Sequence, residues 1–213
     1  MTKFDLDTTN PSIERVSKQS IKGLKQTTLK SITRAKQNLP TTRTLILADI
    51  SGSMSGEKMR GLKDALNNTL TPGVECIGFE DNMWEIAQAD VDHLYSMGGT
   101  HMLEALHNAW EKGSSHMVLI TDGEPTDANE EQILQEVRLH KEIPIDTIGL
   151  GDQGCRNYNP EFLRRIAEIT GGRFTDVGQP IKLTNTLQFL LDYKPTGLKE
   201  GGSGSMSGGV IQL

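Results

Sequence analysis

From residue 41 onward the chain alternates between two hydrophobic periods. Short apolar runs bounded by turn residues read as buried strands at about 44–49, 74–79, 83–88, 116–121 and 145–150, with another near 173–176. Between them, apolar positions recur at helical spacing over about 57–70, 100–112, 128–142, 160–170 and 181–192. Such alternation predicts an α/β fold, a doubly wound, mostly parallel sheet with helices on both faces. Only Pro72 to Ala89 reads as consecutive strands, a hairpin that places one antiparallel strand at the sheet edge. Ligands of open α/β sheets bind beyond the carboxyl ends of the strands, so the loops there are where chemistry is expected.

Three of those loops carry oxygen donors. Asp49-Ile50-Ser51-Gly52-Ser53 follows the apolar run Thr44–Ala48, Gly98-Gly99-Thr100 opens a helical pattern, and Thr121-Asp122-Gly123 follows His116–Ile120. One carboxylate and two hydroxyls at alternate positions make an oxygen-only nest for a small, hard cation. Mg²⁺ prefers octahedral oxygen ligands and keeps several waters, so it suits a site with few charged donors. An Asp-x-Ser-x-Ser run alone also serves as a helix cap or a turn. Three polar loops in this order favour a shared metal site.

Asp49-x-Ser51-x-Ser53, Thr100, and Asp122 within Thr-Asp-Gly together resemble the metal-ion-dependent adhesion site (MIDAS) of von Willebrand factor A domains. The resemblance covers about Thr41 to Lys194 and implies that family's Rossmann-like fold. It also implies that Asp49, Ser51, Ser53 and Thr100 surround Mg²⁺ or Mn²⁺ directly or through water, with Asp122 acting through water. None of the five positions is missing, although His101 follows the threonine where many intracellular relatives have an acid or amide. Two carboxylates and three neutral hydroxyls leave a bound dication electrophilic, with an open position. The occupant implied by the family is a Glu or Asp side chain of a protein partner. The expectation is a metal-dependent protein-interaction module rather than an enzyme. Small relatives of bacterial or phage type pair with AAA+ ATPases or multi-protein assemblies, and a homo-oligomer is a further option.

Length and composition fit one domain with extensions. The 213 residues can bury a sizeable core, and 35% hydrophobic with 23% charged residues is ordinary soluble material. No apolar run approaches the ~20 residues of a membrane span, and the start lacks a signal-peptide core. Cys76 and Cys155 read as free thiols, so a cytoplasmic location is expected. The net charge of −6 is uneven: residues 1–40 carry +5 and the remainder −11. The first block, 1–40, reads as a basic extension with one helix from Pro11 to Gln37. Its apolar stripe includes Ile13, Val16, Ile21, Leu24 and Ile32. Residues 41–195 form the expected domain. Residues 196–213 are a Gly/Ser-rich tail ending in Val210-Ile211-Gln212-Leu213. Its Ser-Gly-Ser-Met-Ser-Gly at 203–208 repeats 51–56, with Gly201 in the place of Asp49.

The sequence also admits two other functions. A divalent-metal hydrolase or phosphatase could use Asp49, but Ser51 stands where the dehalogenase-type phosphatases need a second acid. No G-x-G-x-x-G follows the first strand, no P-loop lysine is present, and no Gly-x-Ser-x-Gly elbow occurs. The basic helix could bind nucleic acid or anionic lipid, yet no aromatic platform accompanies it, so docking on protein is preferred. Glu80 and Asp81 form a turn near the site, Glu124 to Asp127 rim it, and Asp127 caps the helix beginning near Ala128. Trp84 and Trp110 pack. The histidines are mostly solvated, and His101 hydrogen-bonds at the metal rim.

Overall fold

The computed structural model describes residues 43–151 and 158–192. The helix expected over Pro11–Gln37, Cys155 and the tail from 196 lie outside the described residues. The described chain runs β1 (Thr44–Asp49), α1 (Glu57–Thr69), β2 (Val74–Phe79), β3 (Met83–Glu85), α2 (Met102–Glu111), β4 (His116–Thr121), α3 (Glu130–Leu139), β5 (Ile145–Gly149), α4 (Pro160–Thr170), β6 (Phe174–Asp176) and α5 (Leu183–Asp192). Short 3₁₀ turns occupy Gly52–Met54, Gln88–His93 and Pro180–Lys182.

The strands form one six-stranded sheet in the order β3-β2-β1-β4-β5-β6, parallel except for β3. Successive strand residues face opposite sides, so each central strand feeds two cores. Leu45, Leu47, Met117 and Leu119 pack under α2, α3 and α4 with Ala105, Leu106, Ile133, Val137, Phe162 and Ile166. Ile46, Ala48, Val118 and Ile120 pack on the other side under α1 and α5 with Leu62, Leu66, Leu183 and Leu187. Burial on both sides explains why β1 and β4 are nearly continuous apolar runs. Among the described residues, no helix is long and apolar enough to cross a membrane.

The order matters because the chain winds outward from β1 to β2 on one side and crosses to β4 on the other. The carboxyl ends of β1 and β4, Asp49 and Thr121, therefore flank the sheet's switch point, where its crevice opens.

Several local expectations change. The edge strand stops at Glu85 rather than residue 88. The Ile86 amide still donates to the Cys76 carbonyl at 2.9 Å, after which the chain turns back over α1. Gln88 Nε2 donates to Asn67 Oδ1 at 2.8 Å, and Asn67 Nδ2 donates to Asp92 Oδ1 at 2.9 Å. The cap of α3 is Asn129, in a reciprocal capping box with Gln132, and not Asp127. Trp110 is buried and stacks on His140 at 4.1 Å, whereas Trp84 on the edge strand is 39% exposed. His116 is buried as well, its Nε2 lying 2.9 Å from Asp146 Oδ2, because a buried imidazole needs a partner. Cys76 is a buried thiol, and burial pushes its pKa well up.

Candidate metal centre

The first donor loop leaves β1 at its carboxyl end and is laced to its neighbours by backbone bonds. Ile50 N donates to Phe79 O at 3.0 Å, Gly52 N to Gly98 O at 3.1 Å, and Met97 N to Ile50 O at 3.0 Å. The loop that carries Thr100 is thereby drawn against the loop that carries the serines. The glycines permit this approach. Gly98 has φ +69, and a Cβ there would sit 2.0 Å from Glu80 Oε2, so no other residue fits without displacement.

Asp49 lies at the centre, wholly buried. Its Oδ1 accepts from Ser51 N at 2.8 Å and its Oδ2 from Thr121 Oγ1 at 2.6 Å. Ser51 Oγ lies 3.0 Å from Ser53 Oγ, which donates to Asp122 Oδ1 at 2.7 Å. The second Asp122 oxygen accepts from Lys58 Nζ, near the start of α1. Ser53 Oγ and Thr100 Oγ1 both face Gly123, lying 3.5 and 3.7 Å from where its Cβ would stand. Four of the five sequence-selected residues are buried, and Ser53 is exposed. A chain of contacts links Asp49, Ser51, Ser53 and Asp122, and Thr100 meets that group across Gly123.

The electrostatics of this cluster call for a cation. Burial is the main cause of a rise in the Asp49 carboxyl pKa to about 6, opposed by hydrogen bonds from Ser51 and Thr121 and reinforced by the Asp122 charge. A carboxylate held at neutral pH against that desolvation is relieved by a positive ion nearby. All donors are oxygens, two charged and three neutral, which matches a small hard dication. The Ser53 hydroxyl proton is committed to Asp122, so Ser51 Oγ donates to Ser53 Oγ, which keeps a second lone pair for a cation. Among the described residues, no three His, Cys, Asp or Glu side chains gather to hold a metal. The hydroxyls would have to complete any coordination shell here.

Further residues frame the site. Thr121 holds Asp49, and its Oγ1 also accepts from Gly123 N at 3.2 Å. Thr126 holds Thr100, accepting from the Thr100 amide at 2.9 Å. Glu80 is buried; its Oε2 accepts from Asp81 N at 2.5 Å, and its carbonyl accepts from His101 N at 2.9 Å. Asp81 Oδ1 accepts from Gly99 N at 2.8 Å, so the Glu80-Asp81 turn does support the Thr100 loop. Asp127 caps a different helix from the one expected, its Oδ2 accepting from Glu104 N in the first turn of α2. The contacts of His101 are with Asp81 and Glu104, at 3.5 and 3.3 Å. Position in the Thr-Asp-Gly motif was a sequence signal for Thr121; the other partners are brought in by tertiary contacts.

Residues 42–73 and 78–176 match the family profile described as von Willebrand factor type A domain. The chain belongs to this family. Over 100 residues it is 37% identical to human von Willebrand factor A domain-containing protein 3B, a match spanning 45% of this chain and 7% of that protein. Among solved structures, a von Willebrand factor type A protein from Catenulispora acidiphila superposes with a TM-score of 0.61 at 22% identity, covering 70% of this chain and 41% of that one. Proximal thread matrix protein 1 from the mussel byssus, solved with zinc in its MIDAS motif, gives a TM-score of 0.51 at 20% identity over 70% of this chain and 44% of that one. At such identities these structures support the von Willebrand factor A fold alone. The chain spans only a small part of the human relative.

Proposed function

We propose that this von Willebrand factor A domain is a metal-dependent protein-interaction module. In this reading Asp49, Ser51, Ser53, Thr100 and Asp122 hold Mg²⁺ or Mn²⁺, and a Glu or Asp side chain of a partner completes the coordination. The observation that carries it is the buried Asp49 carboxylate, linked to Asp122 through the Ser51 amide and then the Ser51 and Ser53 hydroxyls at the switch point of the sheet. Hard oxygen donors favour Mg²⁺ or Mn²⁺. The zinc held by the mussel protein's MIDAS makes zinc the competing ion to test. The bound ion supplies an electrophilic position for an anionic oxygen; the protein's own groups orient the donors and exclude water from Asp49. The module works in the cytoplasm, and an AAA+ ATPase or a second copy of the chain is the first partner to try.

A pull-down from the native source, with Mg²⁺ and with a chelator, tests this reading. Capture should require the metal and should fail with Thr100→Ala. Retained capture under chelation would remove the mechanism. Metal-dependent turnover of a phosphoester, lost in Asp49→Ala, would instead favour a hydrolase.

A further inference from the structure

We propose that Lys58 is a built-in counter-charge that leaves the metal-loaded site positively charged toward an acidic partner, at the cost of weaker metal binding. This rests on the metal-dependent reading above and deepens it. Lys58 is the second residue of α1, directly after the serine loop, and its ammonium donates to Asp122 Oδ2. The Asp122 side chain is fully buried and that of Lys58 is 26% exposed, so the pair lies at the boundary between site and solvent. Helix stability does not account for a lysine at this position, because the positive end of the helix dipole disfavours a cation in the first turn. Gly56, with φ +75, turns the serine loop into α1 and sets where the Lys58 side chain begins.

The charge count gives the role. Asp49 and Asp122 together contribute two negative charges, so a dication alone would leave the site neutral overall, and only the ion's open position would draw a carboxylate. With Lys58 in place, the loaded site carries one positive charge in excess. The same ammonium opposes the arriving dication, so metal affinity is lower than the two carboxylates alone would give. Both Asp122 oxygens are already bonded, one to Ser53 and one to Lys58, so Asp122 is fixed before the metal arrives.

The test uses the full chain with Mn²⁺ as the metal and acetate as the carboxylate probe. Lys58→Gln keeps a hydrogen-bond donor for Asp122 and removes the charge, whereas Lys58→Arg keeps the charge. Calorimetry should show Mn²⁺ binding roughly tenfold tighter in Lys58→Gln than in wild type. Acetate binding to the Mn²⁺-loaded protein, read by water-proton relaxation, should weaken by roughly the same factor. Lys58→Arg should restore both values. Mn²⁺ affinity that is unchanged or weaker in Lys58→Gln would overturn the proposal, as would unchanged acetate affinity. If wild type itself shows no Asp49-dependent Mn²⁺ binding, the underlying metal reading fails and this proposal falls with it.

Discussion

Thr126 grips the backbone of Thr100 from both sides. Its amide donates to the Thr100 carbonyl at 2.9 Å, and its hydroxyl accepts from the Thr100 amide at 2.9 Å. The first bond survives a side-chain change; the second does not. Thr126 lies four residues beyond Asp122, so this pair also ties together the second and third donor loops of the site.

Thr126→Val should therefore strand the Thr100 amide without an acceptor, at a cost of about 1–3 kcal/mol to folding. Mg²⁺ affinity should fall by about tenfold or more, the scale on which loss of a ligand's supporting partner is felt. Thr126→Ser should retain both. Chemical denaturation and calorimetric titration of the three proteins provide the check.

Asp49 makes stability depend on pH in a direction opposite to that of a salt-bridged carboxylate. Its folded-state pKa is raised from 3.8 to about 6, chiefly by burial. Between those values the folded chain keeps a proton that the unfolded chain has released. Stability without metal should fall as pH rises through that window, by roughly 3 kcal/mol in total, and stay low above it. Asn has no charge to bury, and its amide can still pair with Thr121 and Ser51. Asp49→Asn in EDTA should thus be more stable than wild type at neutral pH, with the slope between pH 4 and 6 reduced. Added Mg²⁺ should raise the melting temperature of wild type and leave that of the variant unchanged. Melting curves across pH decide it.

Two glycines with similar positive φ should respond differently to alanine. Gly56 has φ +75 and ψ −126 and nothing within 4 Å of a Cβ, so Gly56→Ala should cost about 1–3 kcal/mol of backbone strain with no added clash. At Gly98, φ is +69 and the Cβ would also meet Glu80 Oε2 at 2.0 Å. Gly98→Ala should cost about 3 kcal/mol or more, since overpacking adds to strain. The Gly98 carbonyl accepts from Gly52 N, so that variant should weaken Mg²⁺ binding as well. Urea denaturation and metal titration of both variants test the ranking.

The parts of this protein visible in its sequence are those set by local periodicity. β1 and β4 show as unbroken apolar runs because both their faces are covered, and Asp49 and Asp122 follow them at once. The helix boundaries shift by one to three residues where loop contacts intervene. The Thr100 carbonyl accepts from both Met102 N and Thr126 N, and α2 begins at Met102 rather than residue 100. Long-range partnerships were not legible. Lys58 looks like any exposed helix lysine until the fold sets it against Asp122, 64 residues away. His116 looks like a solvated histidine until β5 brings Asp146 beside it, and Asp127 sits just before one helix yet caps another. Side-chain pairing across the sheet leaves no period in the sequence.

In the proposed reading Asp49 anchors a divalent metal shared by three loops. Calorimetric titration of Mg²⁺ into wild type and Asp49→Ala, with circular dichroism to show that both are folded, tests it most directly. Wild type should show one site, and affinity should be weakened by about tenfold or more in the variant, which loses the most deeply buried carboxylate of the cluster. Equal Mg²⁺ affinity in the two proteins would contradict it.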